Sequence, residues 1–119
     1  MAFESWATNL IPGGTNGKSH IFVHDRWAHT TELVSVSSTG QQGNRRSDHP
    51  ALSGDGRYVA FYSTANNLVP NDTNNTGDIF VHDRMTRATW RVSVSTDGVQ
   101  GNAGSTHPAI SHNGRFLAF

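Results

Sequence analysis

The 119-residue chain has no cysteine, which excludes a disulfide framework, a thiolate metal site and a cysteine nucleophile. It has no excess of charge either: nine Lys and Arg face nine Asp and Glu, and no basic run interleaves with aromatics. The electrostatic footprint of a nucleic-acid partner is therefore missing. Long apolar runs are also missing, so no segment reads as a membrane span. The opening "MAFESWATNL" has neither the charged start nor the apolar centre of a secretory leader, so the chain as written is expected in the cytoplasm. A parent protein with a leader ahead of Met1 would instead be secreted or periplasmic. Finally, no stretch keeps a helical apolar period long enough to compete with strands.

What the chain does have is a copy of itself. Residues 2–59 align without gaps on 60–117, a period of 58 with 31 identical positions. "IFVHDR" recurs at Ile21 and Ile79, "VSVS" at Val34 and Val92, "HPA" at His49 and His107, and Gly-Arg at Gly56 and Gly114. We take 2–59 and 60–117 as two repeats, with Ala118 and Phe119 opening a third. Each period reads as four short strands: "HPALS", "RYVAFYS", "DIFVHDR" and "TWRVSVS" in the better-punctuated copy. Val, Ile, Phe, Tyr and Thr fill these runs, and clusters of Gly, Asn, Asp and Pro bound them. Asp55-Gly56 and Asn113-Gly114 read as two-residue hairpin turns. Four antiparallel strands per unit, repeated, is the sequence form of a propeller blade, which buries its faces against its neighbours.

The stretch "HPALSGDGRYVAFYS" followed by "DIFVHDR" resembles the WD40-like repeat of TolB-like β-propellers. In that repeat a Pro-containing strand, a Ser-x-Asp-Gly turn, an apolar strand and an Asp-Ile-aromatic-Val strand follow in order. The resemblance covers almost the whole chain, twice. It implies an all-β propeller with two four-stranded blades per chain, and it leaves function open, since propellers host binding, transport-associated and catalytic roles. Two features depart from the common pattern: the loops after the second and fourth strands are long, and His49 and His107 precede the Pro where the family more often has an acidic or aromatic residue.

The strand order carries an expectation about assembly. Both chain ends fall inside the second strand of a unit, a circularly permuted arrangement that completes only one blade. Two blades cannot close a ring and isolated repeats need neighbours, so Phe22, Phe61, Phe80 and Val94 are expected to lie uncovered in a single chain. "RFLAF" of one copy joined to "ESW" of another regenerates a strand equivalent to "RYVAFYST". Such a head-to-tail contact closes into a ring where the rotation allows. The expected contact residues are Ala2, Phe3, Trp6, Arg115, Phe116, Leu117 and Phe119. Two blades per protomer make the total even. Six from a homotrimer is preferred because the resemblance implies six-bladed relatives; eight from a tetramer and ten from a pentamer follow. A fragment that aggregates through open edges is the plainer alternative.

The candidate ligand residues are few. His49 and His107 open the innermost strands and would recur around one channel mouth, where neutral imidazole could hold a divalent metal. The resemblance extends to some TolB-like lyases that use channel histidines in this way. Against it, Asp48 becomes Thr106 in the second unit, so no partner carboxylate repeats, and each His packing on its Pro is the simpler reading. Asp72, Asn74 and Asp78 in "NDTNNTGD" have the alternate-oxygen spacing of a calcium loop, without the bidentate Glu. Gly14 and His20 stand in place of the two aspartates in the first unit, and Asn and Asp in long loops usually make turns.

His24-Asp25-Arg26 and His82-Asp83-Arg84 could suggest a general base, but neighbours on a strand point to opposite faces, and an Asp-Arg pair closing a hairpin is more economical. The same objection removes Ser47-Asp48-His49 as a triad. Trp27, in a connection, would suit stacking on a sugar, although its counterpart is Met85. Trp6 and Trp90 are expected to pack between blades. The reading is a self-assembling propeller fragment, a structural and interaction scaffold without catalysis and with no certain cofactor. The alternative is a propeller that binds carbohydrate, protein or a divalent metal such as calcium. A metal-dependent lyase or hydrolase ranks last, because the repeats supply no convergent acid and base.

Overall fold

The computed structural model describes residues 1–70, 77–93 and 107–119. Among them there is no helix, and nine strands form three antiparallel sheets. The first sheet has the order β1-β2-β3, from Ala2–Ser5, His20–Asp25 and Thr30–Leu33. The second, β4-β5-β6-β7, comprises Ser47–Leu52, Tyr58–Ser63, Asp78–Asp83 and Thr89–Arg91. The third is the pair β8 (Ala109–Ile110) and β9 (Leu117–Ala118). Within each sheet every strand pairs with its neighbour in sequence, so the first two sheets are meanders and the third is a hairpin.

The registers of the first two sheets match. Phe3 pairs with Phe22 across β1 and β2, and Phe61 with Phe80 across β5 and β6. The rings stack alike, with centroids 5.7 Å apart at 22° in the first pair and 5.9 Å apart at 24° in the second. Side chains alternate along a strand, so Ile21 and Val23 share one face of β2, while Val59 and Phe61 share one face of β5. These faces meet. Ile21, Val23, Val34, Val59, Phe61, Ala65, Leu68 and Phe80 form one buried cluster between the first and second sheets. Phe22, Phe61 and Phe80 are fully buried, which corrects the expectation that they lie uncovered in a single chain; Val94 lies outside the described residues. The two sheets and the loops around them suffice to shield these rings.

The turns differ from the two-residue form. Gly56 has φ +76°, but Asp55 is not left-handed, so the turn lacks the paired positive φ of that hairpin type. Instead the Gly56 N–H donates to Ser53 O, and Ser53 N–H donates to Tyr58 O. Ser53 Oγ accepts from Tyr58 N–H and donates to Asp55 Oδ1, which also accepts from Arg57 N–H. The same set recurs at Ser111, Asn113, Gly114, Arg115 and Phe116. A β-carbon at Gly114 would also run into the Tyr58 ring, so both conformation and space call for glycine there.

The fourth strand of each unit is shorter than its apolar run. β3 ends at Leu33 and β7 at Arg91, yet Val34 and Val36 stay buried beyond β3. Trp6 and Trp90, expected between units, are 62% and 40% exposed.

Replacing Phe61 by Ala removes a fully buried ring from the central cluster, and is expected to cost about 3–5 kcal/mol of unfolding free energy in urea titrations. Trp27→Ala, which removes a side chain 95% exposed, is expected to change it by less than about 0.5 kcal/mol.

Candidate functional site

Three regions hold the residues singled out in the sequence: a histidine pair, the polar slots at the strand ends, and the open sheet edges. The histidine pair arises from the backbone. The β4–β5 register shifts between Asp48 and Ala51, and within that bulge His49 takes φ +54°; His107, likewise ahead of a proline, takes φ +56°. Bulges re-aim side chains. Here the two imidazoles are brought together with centroids 4.2 Å apart at 54°, both exposed, and the Tyr62 ring stands edge-on 6.3 Å from His49. The His49 N–H donates to Glu4 Oε2 at 2.8 Å, tying the bulge to β1. Among the described residues no group of three or more His, Cys, Asp or Glu is arranged to hold a metal ion.

Of the three residues of the proposed calcium loop, Asp72 and Asn74 lie outside the described residues. Asp78 is fully buried at the start of β6, where Ser93 Oγ donates to its Oδ1 at 2.8 Å and Arg91 Nη1 lies 3.8 Å from Oδ2. Its counterpart His20 fills an equivalent slot. Ser35 Oγ accepts from Ile21 N–H and lies 2.8 Å from His20 Nδ1, as Ser93 Oγ accepts from Ile79 N–H. Asn16 Oδ1 lies 2.7 Å from His20 Nε2. A hydrogen on Nε2, donated to that carbonyl oxygen, leaves Nδ1 as an acceptor for the serine hydroxyl. A neutral imidazole thus offers the serine the same lone pair that Asp78 offers as a carboxylate.

His82 is also fully buried. Thr89 Oγ1 donates to Val36 O at 2.6 Å, so its contact with His82 Nδ1, at 2.7 Å, has the imidazole as donor. Nδ1 of this ring therefore carries a hydrogen. Burial pushes the pKa of both His20 and His82 below the usual histidine value.

The Asp-Arg neighbours do not pair with each other. Asp83 takes a two-point contact from Arg57, at 3.0 and 2.9 Å, and accepts from the Met85 and Thr86 N–H groups. Arg57 foremost holds that carboxyl well below the usual carboxylate range. Arg84 reaches instead to Glu32 at 3.0 Å, where Arg87 joins it at 2.7 Å. Glu32 and Glu4 went unnoticed in the sequence. Their counterparts are Trp90 and Tyr62, so the repeat itself gave no signal for them.

The open edges lie at β1 and β9. Among the described strands β1 pairs only with β2, and β9 only with β8. Ala2 and Phe3 lie on β1 and Leu117 on β9, while Trp6, Phe116 and Phe119 are 62%, 64% and 54% exposed. The Arg115 guanidinium stands 5.0 Å over the Phe116 ring.

Antiparallel meanders packed face to face, with the same turn chemistry in successive units, define an all-β chain. No family model and no curated protein sequence matches it. Among solved structures it is similar to TolB from Acinetobacter baumannii, over 84% of this chain and 20% of that one, at 21% identity and a TM-score of 0.49. The chain thus spans about a fifth of TolB's length, and the likeness concerns fold alone.

The two buried imidazoles set a pH dependence. Their pKa values are lowered on folding, so the unfolded chain binds protons that the folded chain refuses as pH falls through about 6.5. Unfolding free energy is therefore expected to decline from pH 8 to pH 5, and His82→Gln to flatten that decline, as read from denaturant midpoints at each pH.

Proposed function

We propose that the chain is a self-assembling propeller fragment: a structural and interaction scaffold, without catalysis, that closes a ring with copies of itself. The observation that carries this reading is the complementarity of the open edges. By the 58-residue repeat, β8 and β9 are the counterparts of β4 and the start of β5, and they lack the third and fourth strands of a unit. At the other end β1, β2 and β3 correspond to the end of β5 with β6 and β7, and they lack the first strand. Each end supplies what the other lacks, so the edges are met by like repeats. For the 119-residue chain in isolation those repeats come from another copy.

Unpaired strand edges are rarely left open in soluble proteins, because each is a row of unused donors and acceptors. Phe116 and Phe119 beside β9 and Trp6 after β1 add apolar area at both ends. A β8–β9 pair laid against β1 would cover all three, and the ring closes by the same heterologous contact repeated. We take the trimer, with six blades, as the assembly.

Light scattering behind size exclusion is expected to give a discrete mass of three times 12.9 kDa. Phe116→Asp, which puts a charge into the proposed contact, is expected to shift that mass to the single chain while leaving the circular dichroism of the sheets in place. A monodisperse monomer for the unaltered chain would overturn the reading.

A further inference from the structure

Thr89, at the start of β7, turns its polar groups toward the first unit. Its N–H donates to Ser38 Oγ at 2.9 Å, its carbonyl accepts from the same hydroxyl at 3.2 Å, and its Oγ1 donates to Val36 O at 2.6 Å. β7 is the last strand of its sheet, so its outward backbone groups meet no further strand, and Ser38 stands in for one. His82, opposite Thr89 on β6, donates from Nδ1 to Thr89 Oγ1 at 2.7 Å. A relay from imidazole to hydroxyl to carbonyl thus crosses the seam between the first and second units. It lies within one chain, in residues 36–38 and 82–89, and does not depend on the assembly proposed above. His24 and Thr31 make the same contact in the first unit, at 2.9 Å, so the pair belongs to the repeat.

The other side of the ring is the weak point. His82 is fully buried, and its Nε2 has no hydrogen-bond partner among the described residues. As a lone pair that nitrogen forgoes one bond. Protonated, it becomes a charged donor with no acceptor and no water, which costs far more. The charges nearby give no relief. Glu32 on β3 is held by Arg84 and Arg87, Asp83 on β6 is held by Arg57, and Arg84 and Arg87 both oppose an imidazolium. Residues 36–40 carry no ionisable side chain. Burial accordingly keeps the His82 pKa below the usual histidine value, and the ring is neutral at pH 7.5. The cover over it is slight. Val36 to Gly40, with Arg87, border a cleft of about 300 Å³ on which His82 also lies, and Ser38, Thr39 and Gly40 are exposed. Val36 is not part of the apolar cluster between the sheets, so residues 36–40 can lift and admit water to the ring while that cluster stays intact.

We infer that this seam is an acid-operated clasp: protonation of His82 releases residues 36–40 from Thr89 while both sheets stay folded. The released form bares the outer edge of β7. In the open form the imidazole regains an ordinary pKa near 6.5, so below that pH the open form takes up a proton that the clasped form refuses. Opening then becomes easier by up to about tenfold for each pH unit, whereas above that pH the clasp is indifferent to acidity.

The test is amide hydrogen exchange followed by NMR on the unaltered chain, as protection factors at pH 7.5 and pH 5.0. The Thr89 N–H, held across the seam by Ser38, is expected to lose protection by about tenfold or more. At pH 5.0 it is also expected to exchange faster than the Val92 N–H, which Ile79 O holds within the second unit, and at a rate that low urea does not change. His82→Gln is expected to abolish the loss at Thr89. His20→Gln, which removes the other buried imidazole and leaves the clasp untouched, is expected to keep it. Three results overturn the proposal: undiminished protection at Thr89, protection and urea dependence shared by Thr89 and Val92 at pH 5.0, or a loss at Thr89 that survives in His82→Gln or vanishes in His20→Gln.

Discussion

The packing of the β2 face against the β5–β6 face is the contact on which the rest of this structure depends. Neither sheet can shield its own apolar side chains, and a two-layer arrangement is the least that gives a sheet a dry face. Ile21 and Val23 on one side, Val59, Phe61 and Phe80 on the other, make that dry layer, and Val34, Ala65 and Leu68 extend it into the connections. The turns and the buried histidines are placed by how these two faces meet.

Two classes of polar bond then divide the work. Bonds within a unit recur at equivalent positions: Ser35 and Ser93 under the β2 and β6 amides, Thr31 and Thr89 on His24 and His82, Asp25 and Asp83 over the following turns. Some bonds between units use positions where the copies differ. Glu32 receives Arg84 and Arg87, and Glu4 receives the His49 amide, while Trp90 and Tyr62 occupy those places in the second copy. A stacked repeat protein can keep its local bonds identical and still give each junction its own chemistry.

The slot shared by His20 and Asp78 shows how a repeat tolerates unlike residues. What the serine hydroxyl needs is an acceptor, and a neutral imidazole with its hydrogen on Nε2 provides one as well as a carboxylate does. Charge is then the difference: Asp78 has Arg91 nearby, whereas His20 is neutral and turns to Asn16. The cost of the histidine is its resistance to protonation, and it is met only when the pH falls.

By itself the sequence determined the all-β class, the order of strands and the positions of the turns, because alternation, Gly-Asn-Asp clusters and a 58-residue copy are local or periodic signals. It also placed His49 and His107 as equivalent positions. The tertiary structure alone decided that their rings touch, because a left-handed backbone at a bulge turns a strand residue sideways and no residue pattern announces that. It likewise decided that Phe22, Phe61 and Phe80 are covered and that Asp83 takes Arg57 and not its neighbour Arg84. Each of these depends on the distance between residues far apart in the chain, which is set by the meeting of two sheets and not by any run within one.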